Sequence, residues 1–306
     1  MKKCVIIYNH QSGNHHVSEK SFYHVLEKYD YTTTIIHTKY KGHAREIVEH
    51  LDDADLVISA GGDGTYNEVI TGNLNRKKPF LIANLPIGTT NDVGNMYGYT
   101  KDTLKNLELV LNGVVKEVDI PKINGHVFTY VASFGNFMNI AYETPRLLKS
   151  KYGRLAYIIY GIKIIKDNSL KLYDVTYEID GVKCSGKYSL IFITSSTRIG
   201  GVNDIFEDVK LDDKKFEVVL CNLTSKKDLA KNFLLLPVKH IEEIPGFTVY
   251  KAGRFKMNIT NTQNTSWCID GEKLEDEQHS YDLTISDTMK LLVPKVNVDR
   301  LFMNKD

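Results

Sequence analysis

The sequence predicts an α/β protein whose N-terminal part is a doubly wound parallel sheet and whose later part is a β-rich antiparallel sandwich. Three observations predict it. The first third alternates short β-branched apolar runs with helix-length amphipathic segments, the pattern of strand-helix-strand units. Beyond Pro121 the strands follow one another with turn signals such as Asp180-Gly181 between them, the pattern of an antiparallel sheet. With 306 residues the chain exceeds the usual size of one domain, so each half is long enough to bury its own core.

In order, the apolar runs at 5–8, 32–38, 56–60 and 80–84 read as strands, and the segments 17–28, 44–51 and 65–74 as the helices between them. A first domain is expected over residues 1–122 and a second over 123–293, with the tail 294–306 packing back on the first. Within the second, Tyr173–Ile179, Tyr188–Thr194 and Phe216–Cys221 read as strands. One long helix is expected where Leu148, Tyr152, Leu155, Ile159 and Ile162 recur at spacings of four and three on one face.

Composition narrows the function classes. Lys+Arg 39 against Asp+Glu 38 leaves a net charge of +1, which gives no whole-protein attraction to nucleic acid. Cys4, Cys184, Cys221 and Cys268 stand far apart, with neither a C-x-x-C pair nor zinc-finger histidine spacing, so a reduced, intracellular protein is expected. The opening MKKCVIIYNHQSG reads as a first strand, not a signal peptide. The longest apolar candidate, Leu155 to Ile162, falls short of the roughly 18 residues that cross a bilayer, so any membrane contact is peripheral.

The strongest local signal is Gly61-Gly62-Asp63-Gly64-Thr65, between an apolar strand and a helical segment. Glycines let a ligand approach the backbone, and the free N–H groups of a helix's first turn favour negative charge. An ordinary tight turn would use the same glycines. No G-x-G-x-x-G or P-loop signature occurs. A second junction carries Pro86-Ile87-Gly88-Thr89-Thr90-Asn91-Asp92. Two such loops on neighbouring strands open at one sheet edge, where ligands of α/β sheets bind, and together they favour a bipartite nucleotide site.

These residues, with Asn67-Glu68-Val69 after the first loop, resemble the nucleotide-binding motifs of the diacylglycerol kinase catalytic-domain family. The resemblance extends to Asn9 with Ser12-Gly13, Asp119, Gly153-Arg154-Leu155-Ala156-Tyr157, Leu211-Asp212-Asp213 and Asp270-Gly271-Glu272, in family order over nearly the whole chain. It implies a nucleotide-binding first domain, a lipid-substrate second domain, and an ATP- and Mg²⁺-dependent transfer of phosphate to diacylglycerol or a related lipid alcohol, giving phosphatidic acid or an analogue. By this resemblance Asn9, Thr38, Gly61, Gly62, Asp63, Gly64, Thr65, Glu68, Gly88, Thr89, Thr90 and Asn91 bind ATP and its Mg²⁺. Asp270 is the general base and Glu272 stands beside it, positioning it or sharing the metal. A second, structural Mg²⁺ is implied at Asp213, with the carbonyls of Lys210 and Lys215 and with Asp119 through water. A cytoplasmic protein at the inner face of the membrane, dimeric and with no nucleic-acid partner, completes the expectation.

Asp270-Gly271 is also the signature of a type I′ hairpin turn, and turn and catalytic role are compatible. Departures from the family pattern are His10 after Asn9, Lys214 after Asp212-Asp213, and Gly200-Gly201 where a glycine triplet is expected. Two other readings are an NAD kinase-like small-molecule kinase and a non-catalytic lipid- or nucleotide-binding regulator. His15, His16, His37, His43 and His50 lack metal spacing and read as surface residues; Trp267 and Cys268 read as packing. Arg146, Lys149, Lys151 and Arg154 gather on the expected long helix and suggest a membrane-facing end.

Overall fold

The computed structural model describes residues 1–13, 17–136, 169–179, 181–199, 202–236, 238–262, 265–274 and 278–303. The expected long helix with its basic residues, the Gly153 landmark, His15, His16 and Gly200-Gly201 lie outside the described residues.

In chain order the first elements are β1 (Lys2–Tyr8), α1 (Glu19–Glu27), β2 (Tyr31–His37), α2 (His43–His50), β3 (Leu56–Gly61), α3 (Asp63–Leu74), β4 (Ile82–Pro86), α4 (Asp92–Met96) and α5 (Thr103–Leu111). Then follow β5 (Val114–Ile123), β6 (His126–Val127), β7 (Val131–Gly135), β8 (Tyr173–Ile179), β9 (Val182–Tyr188), β10 (Leu190–Thr194), β11 (Arg198–Ile199), β12 (Val202–Asn203) and β13 (Phe216–Cys221). The last are α6 (Lys226–Phe233), β14 (Phe247–Ala252), β15 (Arg254–Thr260), β16 (Cys268–Ile269), β17 (Glu272–Lys273), β18 (Ser280–Val293) and α7 (Val298–Leu301). They form two compact units: Met1–Ile120 with Leu211–Asp213 and Asp287–Asp306, and Pro121–Lys210 with Lys214–Ser286.

In the first unit the strands β2-β1-β3-β4 lie parallel in that order. Strand β3 is buried along its whole length, which explains why its sequence LVISAG is a continuous apolar run without alternation. The connection from β1 to β2 runs one way and that from β2 to β3 crosses back over β1, so the winding direction reverses between β1 and β3. Helix α1 packs with α5, and α2 with α3. Helix α1 buries Phe22, Val25 and Leu26, spaced three and one apart on one stripe. The carboxylate of Asp102 caps α5, accepting from the N–H groups of Leu104 and Lys105.

Chain from far downstream completes this unit. The end of β18 pairs in parallel with β4, Leu291 opposite Ile82 and Leu292 opposite Ala83. In the tail, Leu301 and Phe302 are buried, and Asn297 Nδ2 donates to the Met96 carbonyl at 2.8 Å. The segment Leu211–Asp213 is tied in from both sides: Asp119 N–H donates to the Leu211 carbonyl at 2.7 Å and Leu211 N–H to the Leu301 carbonyl at 2.8 Å.

The second unit is a sandwich of antiparallel sheets. One contains β18-β15-β8-β9 and the other β14-β13-β10-β7-β16-β17. Alternation in β8 and β15 sends Tyr173, Val175, Tyr177 and Phe255, Met257, Ile259 inward, where they meet Phe134, Ile191, Val218 and Trp267. Trp267 is fully buried between Phe134 and Tyr281, at ring separations of 5.6 and 5.3 Å, which bears out its reading as a packing residue.

Two boundaries differ from expectation for local reasons. Strand β4 starts at Ile82, two residues after the expected Phe80, because the Asn73 side chain takes both backbone groups of Phe80, donating to its carbonyl at 2.9 Å and accepting from its N–H at 2.8 Å. Helix α3 starts at Asp63, two residues early, so the glycine loop runs directly into the helix.

Candidate active site

The register of the parallel strands brings the sequence motifs into one row. Tyr8 lies opposite His37 and Ala60, and Gly61 opposite Pro86, so the loops that follow β1, β2, β3 and β4 leave the same edge of the sheet. Thr38 extends this edge, its N–H donating to the Tyr8 carbonyl at 3.0 Å. The edge lies at the C-terminal ends of the strands, and the reversal between β1 and β3 makes it the crevice where open α/β sheets hold ligands.

Three loops touch there. Asn9 Nδ2 donates to Thr65 Oγ1 at 3.0 Å, across the reversal point, while Asn9 Oδ1 accepts from the Gln11 N–H at 3.1 Å. The Ile87 N–H donates to the Gly61 carbonyl at 2.9 Å. Gly13 lies so near the third loop that a Cβ on it would stand 2.1 Å from the Ile87 carbonyl oxygen. Asp63 links the second and third loops from the first turn of α3. Its carboxylate accepts from the N–H groups of Asp92 and Val93 at 3.0 and 3.3 Å, at the start of α4.

Asn91 adopts a left-handed backbone with φ 51° and closes its loop by donating from Nδ2 to the Gly88 carbonyl at 2.7 Å. Its Oδ1 is buried and accepts no hydrogen bond. A buried acceptor left so is costly unless a ligand or water supplies a donor. Gly62 and Gly88 approach closely, a Cβ on Gly62 standing 3.6 Å from the Gly88 Cα, and the orphaned Asn91 oxygen can accept from a ligand's donor or from a water of a hydrated cation such as Mg²⁺. Thr89 is exposed and Thr90 half-buried; the Thr90 carbonyl accepts from Asn95 Nδ2 at 2.9 Å.

The same edge carries a wide-open surface depression lined by Tyr8, His10, Ser18, Glu19, Tyr23 and His37 among others. The His37 ring stands 5.4 Å from that of Tyr8 and 5.8 Å from that of His10, and its Nε2 meets Glu19 Oε1 at 2.8 Å. Glu68 is placed differently from the other motif residues. Its two carboxylate oxygens accept from the N–H groups of Gly42 and Ala44 at 2.8 and 3.1 Å, so it holds the start of α2.

In the second unit, β16 and β17 form a hairpin with Ile269 opposite Glu272 and two residues, Asp270 and Gly271, at the turn. Both have positive φ, 48° and 87°, the type I′ geometry. Asp270 is buried, and four donors converge on its carboxylate: the N–H and hydroxyl of Thr129 at 2.6 and 2.7 Å, and the N–H groups of Tyr130 and Val131, each at 3.1 Å. Glu272, two residues on, is exposed. Burial pushes the Cys268 thiol up to about 11, with the charge of Asp270 adding to it, so the thiol stays protonated at neutral pH and packs.

Asp213 and Asp119 belong to the first unit, Lys210 and Lys215 to the second. Lys214 takes φ 60° without being glycine, and Lys210 Nζ lies 3.5 Å from Asp208 Oδ1. Among the described residues no group of three or more His, Cys, Asp and Glu is placed to hold a metal, so a cation at Asp213 would lean on backbone carbonyls and water. The linking roles of Gly13 and of the Asp92 and Val93 N–H groups were not assigned from sequence. A Ser-Gly pair after the first strand was the visible signal for the former.

The family described as diacylglycerol kinase catalytic domain matches residues 3–123, the stretch that holds all three loops. Two curated relatives cover most of the chain. A diacylglycerol kinase of Bacillus subtilis (strain 168) is 31% identical over 280 residues, 89% of this chain and 90% of the relative. One from Staphylococcus aureus (strain bovine RF122 / ET3-1) is 30% identical over 275 residues, 89% of this chain and 86% of the relative. In fold, a crystal structure of a diacylglycerol kinase from Bacillus anthracis str. Sterne superposes with a TM-score of 0.73 at 20% identity, over 97% of this chain and 98% of that one. With loops, hairpin and relatives in agreement, the chain belongs to the diacylglycerol kinase catalytic-domain family of lipid kinases.

Proposed function

We propose that this enzyme transfers the γ-phosphoryl group of ATP, with Mg²⁺, to a hydroxyl of diacylglycerol or a related lipid alcohol, giving phosphatidic acid or its analogue. The observation that carries the proposal is the meeting of three backbone loops at the reversal point of the parallel sheet. There Gly61, Gly62, Gly64 and Gly88 keep the loops lean, with Asp63 and Thr65 among them, and the N-terminus of α3 would turn its first-turn N–H groups toward phosphate oxygens. Asn9, Thr89, Thr90 and Asn91 would complete the site, and the open depression with the rings of Tyr8, Tyr23 and His37 would receive the nucleotide base. Bound Mg²⁺ would neutralise the phosphate charge that builds up during transfer.

Transfer requires that the lipid oxygen bond to the γ-phosphorus as the bond to the bridging β-oxygen breaks, while the hydroxyl proton leaves for a base. The hydrogen bonds support an assignment of roles opposite to the one inferred from sequence. Four donors on Asp270 stabilise its charged form, and protonation would break at least one of those bonds. We assign proton acceptance to Glu272, with Asp270 fixing the hairpin that presents it. A structural Mg²⁺ at Asp213 and work at the cytoplasmic face of a membrane belong to the same reading. No described helix is long and apolar enough to cross a membrane.

Transfer of label from γ-³²P-ATP across a panel of diacylglycerol, sphingoid bases, other lipid alcohols and NAD tests the proposal. Label should enter a chloroform-soluble product, with Mg²⁺ required. Label in NAD alone, or in none of the acceptors, overturns it.

A further inference from the structure

Between β13 and β14 the second unit carries a short basic helix and a turn. Helix α6, with sequence KKDLAKNF, places Leu229 in the core at 1% exposure. The following turn is fixed by its own backbone: the Leu235 N–H donates to the Asn232 carbonyl at 3.0 Å, and the N–H groups of Val238 and Lys239 both donate to the Leu235 carbonyl at 2.9 Å. Asn232 Nδ2 ties the same turn to the Pro245 carbonyl at 2.7 Å. Leu236 and Ile241 point inward, at 7% and 0% exposure, and anchor it.

The turn therefore holds Leu234 and Val238 outward, at 69% and 78% exposure, among the most exposed large apolar side chains of the described residues. Lys227 and Lys231 are exposed one helical turn apart on α6, and exposed Lys239 follows Val238. Asp228 lies further round the helix, and Glu242 and Glu243 follow the turn, where Glu243 Oε1 accepts from the His240 N–H at 3.2 Å.

We propose that this tip, Leu234 and Val238 with Lys227, Lys231 and Lys239, is a docking surface for an anionic lipid bilayer. Two aliphatic side chains on a hydrogen-bonded turn enter the acyl boundary, and the lysines meet acidic headgroups. A bilayer needs no complementary shape, and weak apolar and electrostatic contributions add at its surface. The proposal rests on the lipid kinase reading, since a water-insoluble substrate has to be met at a membrane.

Sedimentation of the full chain with phosphatidylcholine vesicles, with and without phosphatidylglycerol, tests it. The parent should pellet mainly with the anionic vesicles. Lys227→Gln/Lys231→Gln/Lys239→Gln should lower that binding by roughly tenfold or more, and Leu234→Ser/Val238→Ser should lower binding to both vesicles. Unchanged sedimentation of both variants, or a parent that pellets with neither vesicle, overturns the proposal. Insertion is read separately with Leu234→Trp, because the native Trp267 is buried and supplies a constant background. Its emission should shift to the blue on adding anionic vesicles, and no shift counts against the proposal. Unfolding temperatures and turnover of a short-chain diacylglycerol below its micellar concentration should match the parent in all variants. Vesicle binding that depends on the tip, without turnover of any diacylglycerol, would support the docking surface while removing the kinase reading.

Discussion

A methyl group added to Gly88 would stand 2.6 Å from the Cα of Gly62 and 2.7 Å from Asn91 Oδ1, whereas one added to Gly271 meets nothing within 4 Å. Both glycines sit beside polar groups of the candidate site, yet they serve different designs. In the first unit the loops of the candidate site touch backbone to backbone, an approach that glycines permit because they carry no side chain. In the second a two-residue turn of positive φ is held by the buried Asp270 carboxylate and leaves Glu272 exposed, and the surroundings of Gly271 are open. The first design is sensitive to added volume, the second to charge and backbone angle. The consequences can be ordered by size.

The largest effect is expected for charge in the second unit. Glu272→Gln should lower turnover by about 10²–10⁴-fold with little change in ATP affinity, measured by steady-state kinetics and calorimetric titration. Asp270→Asn should lose turnover together with thermal stability, because it replaces an acceptor that four donors hold with an amide whose NH₂ faces some of them. A larger loss of turnover for Asp270→Asn with full stability would restore Asp270 as the base. Next comes volume in the first unit: Gly88→Ala should weaken ATP binding by about tenfold to a hundredfold, from about 1–3 kcal/mol of overpacking. If ATP binds this variant as it binds the parent, the loops are not the ATP site.

Backbone angle follows. Gly271→Ala should cost about 1–2 kcal/mol in urea unfolding, from the left-handed conformation alone, and Gly271→Asn less. The smallest effect belongs to the exposed Arg254–Asp282 pair, with Nε to Oδ1 at 3.0 Å. Hydrogen bonding to Arg254 holds the Asp282 carboxyl below its ordinary value. Its contribution is therefore present above the unfolded value of about 3.9 and is lost as pH falls through the lowered folded value. Asp282→Asn should cost no more than about 1 kcal/mol at pH 7, and its unfolding midpoint should converge on the parent's in acid.

What could be read in the sequence was what depends on neighbours along the chain. The parallel strands show as β-branched runs, the loops of the candidate site as glycine clusters at strand ends, and the Asp270-Gly271 turn as a dipeptide that favours positive φ. Strand β9 was missed because KCSGKY is a polar edge segment with a glycine, lacking the apolar alternation of its partner β8. The donors on Asp270 lie as many as 141 residues away, and nothing near Asp270 reveals that its carboxylate is already occupied. Glu68 sits in a motif beside glycines of the candidate site, yet its helix turns its carboxylate toward α2. The same non-local pairing explains why Leu211–Asp213 reads as an acidic turn of the second half, although it is bonded to Asp119 and Leu301 in the first unit.

The late strand β18 bears on how the protein is made. Its last residues pair with β4, and Met289 lies against Asn73, whose Nδ2 meets the sulfur at 3.4 Å. During synthesis the ribosome releases residues 1–120 long before 287–303, so the parallel sheet waits with the flank of β4 uncovered while the sandwich is translated. A nascent chain stalled at residue 280 would hold all three loops and no finished sheet to support them. The finished form of the N-terminal sheet thus depends on residues among the last to leave the ribosome.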